Sequence, residues 1–245
     1  MAVLRRGRYS VRFAEGPADV AAAQRLRYRC FRGRDGSDGL DADRFDAACL
    51  HVLVEETAGG QLICCFRLLP FADGRGIGDS YAAQFYDLGN LASYAGRMVE
   101  MGRFCVHPDW RDADVLRVAW GAMTRYVDEQ GVELLFGCSS FQGTEADRYM
   151  DAFALLNERH LAPKRWVPRV KAPRVFRFSQ RLRLRKPNLK AAMQGMPPLL
   201  RTYLVMGGWV SDHAVVDNDL DTLHVFTGLE INAIPSNRKR LLRAT

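Results

Sequence analysis

Glu100 and Arg103 stand three residues apart in the apolar run Met98-Val-Glu-Met-Gly-Arg-Phe-Cys-Val106. Burying a carboxylate and a guanidinium in such a run costs free energy unless each has a partner or a use. In an extended chain the two point to opposite faces. Gly102 between them marks the place for a bulge that would aim both at one site. A bulge would also free a backbone N–H to donate to a carbonyl oxygen, the arrangement that stabilises an oxyanion. The plainer alternative is two exposed strand residues, each in an ion pair with a neighbour.

Other polar residues beside apolar runs extend the candidate set. Arg67 ends Leu62-Ile-Cys-Cys-Phe66, at the rim of an expected buried strand. Asp43 and Asp46 are three apart in Leu40-Asp-Ala-Asp-Arg-Phe-Asp46 and could share one face of a turn, where capping is the commoner use of Asp. Arg27 and Phe31 are i, i+4 on an expected helix, a spacing that also suits surface packing. Ser139 and Ser140 follow an expected strand but lack the G-x-S-x-G elbow of a serine hydrolase. No G-x-x-x-x-G-K and no helix-opening G-x-G-x-x-G occurs, which disfavours the nucleotide folds.

These residues need elements to hold them. Tyr9 to Ala14 alternates as a strand, and Pro17 to Phe31 reads as a helix with Pro17 suited to its first turn. His51–Glu56 and Gln61–Arg67 flank Thr57-Ala-Gly-Gly60 as a hairpin. A strand over 97–106, a helix over 113–130 stopped by Gly131 and a strand over 133–138 form a βαβ unit, which implies local parallel pairing. A second helix is expected over 144–158. Pro163, Pro168 and Pro173 then break the pattern, which divides the chain into a core over 1–163 and a basic extension over 164–245.

The extension holds the charge. Of 35 Lys and Arg residues, 11 lie between Lys164 and Lys190 with no Asp or Glu among them; removing them leaves 24 basic against 28 acidic residues. The formal charge of +7 therefore belongs to one segment on a slightly acidic body. Phe176-Arg-Phe-Ser-Gln-Arg-Leu-Arg-Leu-Arg185 alternates apolar with polar or basic residues, as a ribbon with one cationic face would. A solvated basic face, a nucleic-acid site without a reader motif, and a dock for an anionic partner all fit this pattern.

The six cysteines are scattered without a C-x-x-C pair, so free thiols in a reducing cytosol are expected. Met1–Arg8 has no following apolar stretch of signal-peptide type. Leu199–Val210 falls short of the roughly 20 apolar residues of a membrane span.

Val106-His-Pro-Asp-Trp-Arg111, between strand and helix, resembles the acyl-donor loop of Gcn5-related N-acyltransferases, the GNAT superfamily. In Arg111-Asp-Ala-Asp-Val-Leu116 the superfamily's glycines are missing, which points to its carrier-protein-dependent branch. Arg27-x-x-x-Phe31, Asp43-x-x-Asp46, Arg67-Leu-Leu-Pro70 and Glu100-x-x-Arg103-Phe104-x-Val106 follow the order seen in acyl-homoserine-lactone synthases. Those usually carry a Trp after the helical Phe, where this chain has Arg32-Gly-Arg-Asp35. Glu100–Arg111, Leu135-Phe-Gly-Cys-Ser-Ser-Phe-Gln-Gly-Thr144, Met196–Leu204 and Gly208–Asp217 resemble more closely the L-ornithine Nα-acyltransferases of ornithine-lipid synthesis.

That resemblance implies an α/β GNAT-type fold, a mixed central sheet flanked by helices with the basic C-terminal extension. It implies transfer of a 3-hydroxy fatty acyl group from acyl carrier protein to the α-amine of L-ornithine, giving lyso-ornithine lipid. No metal or resident cofactor is implied, the donor bringing its own phosphopantetheine arm. Glu100 and Arg103 become the catalytic candidates, with Glu100 as base. Arg67 joins Arg103 in holding a carboxylate, Asp43 and Asp46 meet the side-chain amine, and Arg27, Phe31, Phe104, Ser139 and Ser140 complete the substrate set. Arg174, Arg177, Arg181, Arg183, Arg185 and Lys186 become a dock for acyl carrier protein or an anionic inner-membrane surface, with nucleic acid not expected. The implied location is cytoplasmic, peripheral at the inner membrane. A lactone synthase, an acyltransferase for another amino acid such as glycine, and a non-catalytic carrier-protein or nucleic-acid-binding module remain the alternatives.

Overall fold

The computed structural model describes residues 4–33 and 37–243. In chain order the elements are β1 (Leu4–Arg6), β2 (Tyr9–Phe13), α1 (Pro17–Phe31), β3 (Leu50–Glu56) and β4 (Leu62–Phe71). Then come β5 (Tyr86–Asp87), β6 (Met98–Val106), α2 (Ala113–Gln130), β7 (Leu134–Gln142) and α3 (Met150–Arg159). Shorter pieces follow: β8 (Arg169–Val170), β9 (Val175–Phe176), α4 (Phe178–Arg181), α5 (Leu189–Gly195) and α6 (Pro198–Val205). The chain closes with β10 (Trp209–Val210), β11 (Ala214–Asp217), β12 (Thr222–Glu230) and α7 (Ser236–Arg243).

The described residues form two compact units. One takes the chain up to Pro70, then Met101–Val132, then the chain from Ser236; the other takes Phe71–Glu100 and Glu133–Pro235. In the first, β1, β2, β3 and β4 make an antiparallel meander, with the later part of β6 beside β4. Ala23 and Leu26 of α1 pack with Leu53, Cys65 and Cys105 of these strands. Helix α2 buries Val115, Val118, Ala119, Ala122, Met123 and Val127, the 3.6-residue spacing visible in the sequence. It ends at Gly131, whose φ of +62° closes the helix in the left-handed region.

In the second unit, Met98–Glu100 of β6 runs parallel to β7, as the βαβ reading requires. β12 pairs antiparallel with β7 over nine residues, from Thr222↔Gln142 to Glu230↔Leu134. β11 and β9 continue the sheet in antiparallel fashion. Two apolar clusters fill this unit, one around Phe141, Phe153, Phe178 and Leu200, the other around Tyr86, Phe136, Trp209 and Phe226.

Several expectations change. The compact units do not part at residue 163: β7 lies before that point and its nine-residue partner β12 after it, so 164–235 shares a unit with 133–163. β7 reaches Gln142 rather than Cys138, which puts Ser139 and Ser140 inside the strand. The second helix starts late, with a 3-10 turn at Ala146–Tyr149 before α3. The Phe176–Arg185 ribbon is instead one strand end and a turn of helix. Phe176 and Phe178 are two apart, as in a strand, but Phe178 and Leu182 are four apart, and burying both selects a helical turn.

A Cβ added at Gly131 would meet nothing within 4 Å, so the cost of Gly131→Ala is conformational. It should be about 1 kcal/mol, measurable as a loss of about 2–4 °C in Tm.

Candidate functional site

The segment over residues 37–49, leading into β3, carries little regular structure, and long irregular connections in compact proteins usually serve a function. What fixes it is charge. Arg27 reaches Asp41 from Nε at 3.0 Å and Asp46 from Nη1 and Nη2 at 2.7 and 3.0 Å. Its Nη2 also donates to the Asp41 carbonyl. Arg67 holds both oxygens of Asp43 at 2.6 and 2.7 Å and touches Asp46 at 2.8 Å. Arg103 donates to Asp41 at 2.9 Å and to Asp43 at 3.3 Å. Each arginine thus bridges two aspartates and each aspartate two arginines, in a closed ring of six alternating charges.

The elements explain the ring. Arg27 comes from α1, Arg67 from β4, Arg103 from β6, and all three aspartates from the one connection. Neighbours complete it: Gln24 and the Asp43 N–H donate to Asp46, and His51 Nε2 lies 3.0 Å from the Asp46 carbonyl. Arg32 adds a contact of 3.2 Å to Asp41. Arg103 takes φ +53°, in the left-handed region that non-glycine residues seldom occupy. The expected irregularity in β6 is therefore real but sits one residue later than Gly102.

Burial would raise the pKa of each aspartate, but the guanidinium partners reverse that and hold Asp41, Asp43 and Asp46 all below the ordinary carboxylate value. Burial also pushes His51 down, so its imidazole favours the neutral form. The ring is closed to water at Arg27, whose side chain is 1% exposed, and most open at Arg103 (10%) and Asp43 (22%).

Sequence reasoning placed Arg27, Asp43, Asp46, Arg67 and Arg103 in the candidate set, and the structure brings all five together. It corrects their surroundings. Arg27 is core rather than surface packing, and Arg67 lies within β4 rather than at its rim, because that strand continues to Phe71. The guanidinium forks expected to hold a substrate carboxylate are engaged by the protein's own aspartates. Asp41 was missed; its signal was its place two residues before Asp43, in the same apolar-flanked stretch. Phe31 packs at the edge of the α1 cluster, and Phe104 stacks on Phe66 with ring centres 5.4 Å apart.

Glu100 belongs to the other unit and is buried. Its two oxygens accept N–H bonds from Tyr81 and Ala82, both at 2.7 Å. Ser139 is buried and accepts from Thr227 Oγ1 at 2.9 Å, while Ser140 is exposed. Among the described residues no group of three or more His, Cys, Asp or Glu could hold a metal ion.

The loop after β6 meets α2 at Asp112. That side chain caps the helix by accepting from the Asp114 N–H at 2.9 Å, and takes the Tyr9 hydroxyl at 2.6 Å. Asp114 follows in the first turn, paired with Arg117 at 2.7 Å.

Comparison with known proteins now bears on this arrangement. Residues 26–121 match the Acetyltransferase (GNAT) domain family. An L-ornithine N(alpha)-acyltransferase of Rhodobacter capsulatus is 32% identical over 244 residues, covering 94% of this chain and 93% of that one. The chain belongs to the L-ornithine Nα-acyltransferase family. It is accordingly an acyltransferase with a GNAT-type α/β fold. A relative of the same name from Brucella abortus is 31% identical over 94% of this chain and 87% of its own. Among solved structures, FeeM, an N-acyl amino acid synthase from uncultured soil microbes, shares the fold with a TM-score of 0.52 at 10% identity, over 92% of this chain and 93% of that one.

Arg27→Met should remove the buried guanidinium that Asp41 and Asp46 share, opening the ring, and cost about 3–5 kcal/mol. Asp43→Asn, at the open edge of the ring, should cost far less in thermal denaturation. The depressed aspartate pKa values give stability that is complete above the unfolded value of about 3.9 and is lost as pH falls through the lower folded values. Tm should therefore change little from pH 7 to 5 on their account and drop below about pH 4; in Asp43→Asn the acid drop should be shallower.

Proposed function

We propose that this acyltransferase moves a 3-hydroxy fatty acyl group from acyl carrier protein to the α-amine of L-ornithine, forming lyso-ornithine lipid. The observation that carries the acceptor is the 32% identity, over nearly the full length of both chains, to an enzyme named for that amino acid. The reaction joins the amine nitrogen to the thioester carbonyl, breaks the C–S bond and returns a proton to the departing thiolate. The amine must first lose a proton, because an ammonium has no lone pair to attack with.

Glu100 suits the role of base, directly or through a water. Its buried carboxylate is held in a fixed position by two backbone amides. In the charge ring, Arg103 and Asp43 retain the most exposure, and to meet the carboxylate and the side-chain amine of ornithine each would exchange a ring contact for the substrate. Arg27, Arg67, Asp41 and Asp46 then act as positioning residues that hold those two in place.

The carrier-protein donor is favoured by the start of α2. A helix N-terminus ordinarily attracts phosphate through its free N–H groups and its dipole. Here the Asp114 N–H already donates to Asp112, and Asp112 and Asp114 put two carboxylates at the helix start, which disfavours a nucleotide diphosphate there. A carrier-borne acyl group presents a phosphopantetheine arm without that nucleotide.

Expression of the chain in a host lacking such lipids, followed by lipid extraction and mass spectrometry, should reveal lyso-ornithine lipid. Finding only acyl-glycine, or methylthioadenosine release from S-adenosylmethionine, would replace the acceptor. Glu100→Gln should lower acylation by about 10²–10⁴-fold, the usual scale for an acid–base group, with Tm measured alongside because the amide nitrogen cannot accept one of the two N–H bonds. In a donor series, acyl-pantetheine should serve about as well as acyl-coenzyme A, and acyl carrier protein far better than either. A strong preference for the coenzyme A thioester over acyl-pantetheine would count against the donor assignment.

A further inference from the structure

The basic segment is anchored by its own apolar residues. Phe178 and Leu182 are buried in the core, and these two fix the backbone from which the neighbouring cations project. Leu184 departs from that pattern. It is 87% exposed, set between the exposed Arg183 and Arg185. Helix α5 repeats the theme: Ala192 and Met196 face inward, while Leu189 (49% exposed) and Met193 (43%), four residues apart, face outward beside the exposed Lys190. The nearby carboxylate of Asp151 is taken up by Arg185 at 3.2 Å and by the Asn188 N–H. No Asp or Glu occurs in sequence between Lys164 and Lys190, and the exposed Asp147 lies with Asp151 in the hollow lined by Arg185 and Ala191.

We propose that the surface carrying Arg181, Arg183, Leu184, Lys186, Leu189 and Met193 docks on an anionic lipid bilayer. A purely solvated cationic face does not need a protruding leucine, and exposing aliphatic groups to water is unfavourable. Protein interfaces draw much of their energy from Trp and Tyr anchors, and neither residue occurs between Phe176 and Met196. Here the exposed apolar groups are two leucines and a methionine, flexible aliphatic chains flanked by cations, the composition of a segment that settles at the headgroup boundary of a membrane. The arginines and Lys186 would meet lipid phosphates while the aliphatic tips enter the acyl region. No helix among the described residues is long and apolar enough to cross a membrane, so the contact is interfacial. Exposure and charge carry this surface; its purpose, release of a lipid product into the bilayer, rests on the proposed function.

Vesicle sedimentation with the full chain separates the possibilities. Wild-type protein should bind vesicles of phosphatidylcholine containing phosphatidylglycerol and bind phosphatidylcholine alone weakly. Combined Arg181→Glu, Arg183→Glu and Lys186→Glu should weaken binding by about 100-fold. Combined Leu184→Ser and Met193→Ser should weaken it by about tenfold, and this loss should persist in high salt, where charge contributions are screened. Circular dichroism and Tm check that each variant folds. Failure of wild-type protein to bind the anionic vesicles would overturn the proposal. So would unchanged binding in the Leu184/Met193 variant, or a charge-reversed variant that keeps vesicle binding but loses affinity for acyl carrier protein. Vesicle binding without lyso-lipid synthesis would sink the proposed function and leave the surface standing.

Discussion

The first unit is organised around a constraint of low-dielectric electrostatics: three guanidinium groups and three carboxylates removed from most of their water must satisfy one another. Desolvating such ions costs several kcal/mol each, and only close pairing with additional hydrogen bonds offsets it. The ring meets this demand by sharing. Asp41 serves Arg27 and Arg103, Asp43 serves Arg67 and Arg103, and Asp46 serves Arg27 and Arg67. Because the arginines come from a helix and two strands and the aspartates from one irregular connection, the ring turns a loop into a fixed part of the frame. Ordering that connection costs backbone entropy, which its ion pairs and the burial of Phe45 offset.

The second unit handles its central carboxylate differently. Glu100 accepts two peptide N–H bonds, from Tyr81 and Ala82 in a tight turn. Asp41, Asp43 and Asp46, by contrast, are held ionised by their guanidinium partners.

Much of this was legible in the sequence because it rests on periodicity. The helical spacing from Val115 to Val127, the glycine stop at Gly131, the hairpin glycines at 59–60 and the strand around Glu100 all act locally, and they appear where the pattern places them. Five of the six ring members were visible as polar residues embedded in apolar surroundings. Their partnership was not, because it is decided by the path of an irregular loop, which has no period to read. Asp41 escaped for that reason. The basic segment misled for another: alternation from Phe176 onward satisfies a strand, yet the same residues place Phe178 and Leu182 at helical spacing, and burial of both outweighed the alternation.

A closed ring also has consequences for how such a chain can change. In a simple ion pair, reversing both charges can preserve the attraction. In the ring every residue answers to two neighbours, so exchanging one Arg and one Asp creates two like-charged contacts at the seams. Lysine is a poor substitute, because a compact ammonium lacks the planar fork that lets one guanidinium engage two separate carboxylates. The six positions are thus tied into a single unit of variation, and any path to a different arrangement must pass through unpaired buried charge.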